Sequence, residues 1–134
     1  MLIQEIKDGR FRPGQVWTYR ARPGEEGSRI VVGRVDILNG KDTVVHIAIS
    51  GVAIPNVKLP SGIQSRVSHA PMAESALADS VIAQTTEPAD LDGFADAYKT
   101  WRDACESEGA GYFTVSASHL IELYVKAMKM TGSA

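Results

Sequence analysis

The chain has 134 residues, 44% of them hydrophobic and 22% charged, with a formal net charge of −2. This balance fits one ordinary globular domain and argues against a wholly disordered chain. The single cysteine, Cys105, excludes an intrachain disulfide. Charge is unevenly spread: residues 1–69 carry a net +4 and residues 70–134 a net −6, a weak pointer to an oriented charged partner.

The opening MLIQEIKDGR lacks the apolar run of a secretion signal. No stretch approaches the roughly 18 apolar residues of a membrane helix. The expected setting is therefore cytosolic, away from any membrane.

Val16 to Arg20 mixes β-branched and aromatic residues and reads as a strand. A charged loop follows, with Arg20, Arg22, Glu25, Glu26 and Arg29 gathered within ten residues. Arg29 to Leu38 is the next strand. Simple alternation places Val31, Gly33, Val35 and Ile37 on one face and Arg34 and Asp36 on the other. Asn39-Gly40 is a strong hairpin signal, because both positions tolerate positive φ. Thr43 to Ile54 returns, with Val45, Ile47 and Ile49 on one face and Val44, His46, Ala48 and Ser50 on the other. Gly51 marks a bulge or bend.

Residues 55–64 read as a loop, and a short strand is expected around Arg66–His69. Pro71 suits the first turn of a helix continued by Met72, Ala76, Leu77 and Val81. Thr85 to Pro88 breaks the chain. A second helix carries Phe94, Ala97, Tyr98, Trp101, Ala104 and Cys105 at three- and four-residue steps, a buried stripe, and Gly109 ends it. GYFTV reads as a short strand. Ser116 or Ser118 caps a last helix with a Leu120, Ile121, Tyr124, Val125 and Met128 stripe. The whole is one α+β domain over residues 1–134. It pairs an antiparallel sheet, open or barrel-like, with about three C-terminal helices on one of its faces.

Little of this points to chemistry. His46, His69 and His119 show no metal-ligand spacing and read as half-buried or surface residues. Cys105 sits in an apolar stripe, the setting of an inert thiol. There is no phosphate loop and no serine elbow, so neither cofactor nor metal is expected. The loop remains: its opposite charges pair weakly in solvent, or its arginines hold an anionic group on a partner.

Two resemblances extend this reading. Val16-Trp17, Pro23, Gly24, Glu25, Gly27 and Arg29 resemble the first hairpin of MazF/PemK-type endoribonuclease toxins, although Ser28-Arg29-Ile30 stands where that family has Arg-Arg-Pro. The likeness implies Arg29 stabilising charge on phosphorus, Ser50 at the end of a strand, and His46 as acid or base. The chain is also similar, nearly end to end, to a group of small bacterial proteins to which no catalytic residue is assigned. These share a PGQVW-Y-RPGEE-SR opening (Pro13–Arg29), a VHI-ISG strand (Val45–Gly51), a His-x-Pro (His69–Pro71) and a G-FT segment (Gly111–Thr114). The expected function is non-enzymatic binding, accessory or immunity-like, to a protein partner through Arg20, Arg22, Glu25, Glu26 and Arg29. Nucleic acid is the less favoured partner because the acidic balance opposes it. The alternative is a metal-independent ribonuclease using Arg29, His46 and Ser50.

Overall fold

The computed structural model describes residues 1–109 and 111–132. Six strands form one antiparallel sheet that is open, not closed into a barrel: β1 (Ile3–Glu5), β2 (Val16–Tyr19), β3 (Arg29–Leu38), β4 (Asp42–Pro55), β5 (Ile63–Ala73) and β6 (Val81–Thr85). Three helices accompany it: α1 (Glu74–Ser80), α2 (Phe94–Glu108) and α3 (Ala117–Gly132). The strand order is β5-β4-β3-β2-β6, and β1 pairs with β3 beside β2. No described helix is long and apolar enough to cross a membrane.

The β3–β4 hairpin is the centre of the sheet and forms as the turn signal predicts. Asn39 has φ 54° and Gly40 φ 66°, the two positive values a tight hairpin turn needs. From there Leu38 pairs with Asp42, Asp36 with Val44 and Arg34 with His46. The register then shifts at Gly33. A β-bulge inserts one residue and reverses which side chains face which way, so simple alternation fails along β3. Val35 joins Ile30 and Val32 in the main core, while Val31, Arg34 and Asp36 lie on the opposite face with Gly33. The second glycine, Gly51 (φ 69°), sits at the expected irregularity. A Cβ there would come within 3.0 Å of the Ser28 backbone.

The helices cover both faces, not one. Ala117, Leu120, Ile121 and Val125 of α3 and Leu77 of α1 pack with Val45, Ile47 and Ile49 on one side. Phe94, Tyr98, Trp101 and Cys105 of α2 pack with Leu38 and Val44 on the other. Burying both faces explains why β4 is sealed continuously from Val44 to Ile49. The α2 stripe and its Gly109 terminus (φ 73°) are as expected. Ser116, rather than Ser118, caps α3: its hydroxyl accepts from the His119 N–H at 3.2 Å.

Other elements differ from expectation. Pro71 lies inside β5, not at a helix start. β5 is an edge strand, where a missing N–H removes no ladder bond. The helix is consequently confined to Glu74–Ser80, and Val81 opens β6 instead of closing the helix stripe. β5 starts at Ile63 and absorbs the short strand expected at Arg66–His69, so the loop shrinks to residues 56–62. Among the described residues GYFTV makes one bridge, Phe113 parallel to Met72. β1 has no counterpart in the sequence reading.

Candidate functional site

Where α2 crosses the sheet, four strand residues bring polar chemistry into the interior. Asp36 and His46 are both fully buried. Their strands pair Arg34 with His46 and Asp36 with Val44, so Asp36 and His46 are diagonal neighbours on the α2 side. His69 arrives from β5, where Pro71 is the partner of His46.

The contacts form a chain. Tyr98 donates its hydroxyl to Asp36 Oδ2 at 2.8 Å, and Arg34 Nε donates to Oδ1 at 2.9 Å. His46 Nε2 lies 3.0 Å from Asp36 Oδ2 but off the line of a hydrogen bond. His46 Nδ1 lies 2.9 Å from His69 Nε2. An ionised carboxylate only accepts, so it favours the His46 tautomer with hydrogen on Nε2. Nδ1 then accepts from His69 Nε2–H. Trp101 and Tyr98 meet the His46 ring edge-on at 4.5 and 4.8 Å between centroids. Phe94 stands 5.6 Å from His69.

Burial decides the charges. Desolvation would raise the Asp36 pKa, but the close approach of His46 and the hydrogen bonds from Tyr98 and Arg34 outweigh it and hold the carboxyl below its usual range. Desolvation depresses His46, more than its carboxylate neighbour raises it. His69 is lowered to about 4 by burial and by His46. Tyr98 is pushed up to about 12 by burial and by the bond to Asp36. At neutral pH the cluster is one anion, one guanidinium and two neutral imidazoles. The half-buried or surface expectation therefore fails for His46, whose ring is sealed beneath α2. No group of three or more His, Cys, Asp or Glu among the described residues is placed to hold a metal.

The charged loop is built differently. Arg22 grips Glu25 with two bonds, Nε to Oε1 at 2.9 Å and an Nη to Oε2 at 2.5 Å. Glu25 is buried and also accepts from the Ala53 N–H at 2.8 Å. The Arg22 bond lowers its pKa despite desolvation. Arg22 reaches α3 through Glu122 at 3.1 Å. Ser28 is shared between the Tyr19 hydroxyl at 2.6 Å and the Ser50 carbonyl at 2.5 Å. The loop is thus fastened to β2, β4 and α3. Arg20 bonds the Asp79 carbonyl at 2.5 Å, Arg29 pairs with Glu87 at 2.7 Å, and Glu26 is exposed. Glu25→Gln should cost about 1–3 kcal/mol, because the half-buried Arg22 keeps only the exposed Glu122 as a counter-charge and the buried amide matches its donors less well. Urea unfolding measures it, and Glu26→Gln should leave the midpoint unmoved.

Of the residues expected to act together, Arg29 and Ser50 are cross-strand partners. His46 lies four positions along β4, occupied by Asp36 and His69. Asp36, His69 and Tyr98 escaped the sequence reading as a group. The available signal was a pair of polar residues, Asp36 and His46, in an apolar hairpin; the turn spans residues 39–41 and sets Arg34 opposite His46, one residue away from the register of a two-residue Asn39-Gly40 turn. Compared with known proteins, the chain matches no family model, no curated protein and no solved structure.

Proposed function

We propose that the chain is a non-enzymatic binding protein, accessory or immunity-like, acting in the cytoplasm on a protein partner through the Arg20–Arg29 loop. The observation that supports this is the fastening of the loop. Arg22, Glu25 and Ser28 anchor it internally, and Arg20, Glu26 and Arg29 sit on the outside of that frame. A surface ordered before contact loses less conformational freedom on binding, and charges of both signs give register and association rate.

One observation favours a second reading, the ribonuclease: Arg29 and Ser50 are paired across β3 and β4. Against it, Arg29 is engaged by Glu87, and His46 has no exposed surface from which to move a proton to a substrate.

The test uses the purified chain with the product of the neighbouring gene and, separately, with mixed RNA free of metal. Binding that weakens at high salt, and at least tenfold in Arg20→Glu/Arg29→Glu, is the expected result. RNA cleavage that disappears in Arg29→Ala would overturn the binding reading.

A further inference from the structure

Helix α2 is seated on two imidazoles. Phe94, Tyr98 and Trp101 carry most of its buried surface, and all three rings lie within 4.5 to 6.2 Å of the His46 or His69 ring. The helix is bounded by glycines in left-handed conformations, Gly93 at φ 75° and Gly109 at φ 73°. From these features we propose that α2 is an acid-released cover on the sheet, with the His46–His69 contact as its catch. This inference does not rest on the binding role of the loop.

The catch works by counting hydrogens. A nitrogen–nitrogen contact of 2.9 Å has room for one hydrogen. In the neutral pair that hydrogen is on His69 Nε2, pointing at the bare Nδ1 of His46. A first added proton goes to His69 Nδ1 and leaves the contact intact. A second has only His46 Nδ1 to occupy, and there it would face the His69 Nε2–H. The rings must then part. They hang from adjacent, hydrogen-bonded strands, so they part by swinging toward α2 rather than by spreading the sheet.

The surrounding charges do not rescue the doubly protonated state. From β3, Asp36 faces His46, but its Oδ1 is already taken by Arg34, which Glu5 of β1 approaches at 3.7 Å. From α2, Tyr98 bonds the other carboxylate oxygen, and Arg102 lies 3.3 Å from that hydroxyl. Asp36, with only the more distant Glu5 to help it, would answer for a guanidinium and two imidazolium rings around the fully buried His46. The low affinity of His69 for its proton, with a pKa of about 4, is in keeping with this. Cys105, also in the α2 contact, has its thiol pushed up by burial and does not titrate in acid.

Hydrogen exchange followed residue by residue between pH 7 and pH 4 tests the proposal, with rates corrected for intrinsic pH dependence. Amides of residues 97–105 should lose at least tenfold more protection than those of β3 and β4 at the acid end. His69→Gln keeps a donor toward His46 but cannot take up a proton. It should bring the two sets within about threefold of each other, whereas His119→Gln on α3 should leave the difference unchanged. Should His69→Gln fail to fold, ¹⁵N spectra of the wild-type histidines decide. Hydrogen on His46 Nδ1 must appear only in molecules whose α2 amides are unprotected. Loss of α2 and sheet protection together, or docked α2 with both rings doubly protonated, overturns the proposal.

Discussion

Asp36→Ala should destabilise the fold by about 3–5 kcal/mol, the range for removing one member of a buried ionic cluster. The cost comes from what is left behind more than from what is lost. Arg34 Nε, the Tyr98 hydroxyl and His46 Nε2 all turn toward this carboxylate. Deleting it strands the Tyr98 hydroxyl and His46 beneath α2 and leaves Arg34 only the more distant Glu5. A domain of this size has a total stability of about 5–15 kcal/mol, so much of the reserve goes with one side chain. Asp36→Asn should cost less than half as much, because its amide oxygen still accepts from Arg34. Urea unfolding of the three proteins at pH 7 provides the comparison, and equal losses for Ala and Asn would show that the charge, not the bonding geometry, is the main contribution.

Gly33→Ala should cost about 3 kcal/mol, an overpacking penalty at the upper end of the usual range. The reason is steric. A Cβ on Gly33 would stand 2.3 Å from Phe94 Cζ and within 2.6 Å of two more ring carbons. Phe94 is buried at the first residue of α2, so the ring cannot swing aside without pulling the start of the helix off the sheet. Phe94→Ala opens the space. The double variant should therefore be little less stable than Phe94→Ala alone, a departure from additivity of the kind expected between touching residues. A double variant that carries the full sum of both losses would refute the contact.

The elements that local chemistry dictates were legible. Asn39-Gly40 could only be a tight turn, the Phe94–Cys105 stripe could only be a helix with one buried face, and β2 entered the sheet where its aromatic and branched residues placed it. The failures share one cause, which is that pairing partners decide. Gly33 gives no hint by itself that it is a bulge, yet it reverses the facing of every later β3 residue. Pro71 looks like a helix start until β5 is known to be an edge. Val81 keeps helical spacing with Leu77, but β2 recruits it as a strand. The loop charges were seen as a group, whereas their division into buried anchors and outer groups depends on Ala53 and Glu122, far along the chain. His69 meets His46 only because β5 folds back along β4, so no local pattern could join them.

The strand order has a consequence for how the chain assembles. β5 and β6 are consecutive in sequence but occupy opposite edges, with α1 carrying the chain between them beneath the sheet. Among the described residues β6 pairs only with β2, and β2 is itself held by the β3–β4 hairpin through β3. The last strand therefore has no template until β2, the four residues Val16–Tyr19, is in place, and closing a link from residue 16 to residue 85 carries a long-loop entropy cost. The hairpin, whose partners are sequence neighbours, is the natural seed, and the β2–β6 edge is the final stitch.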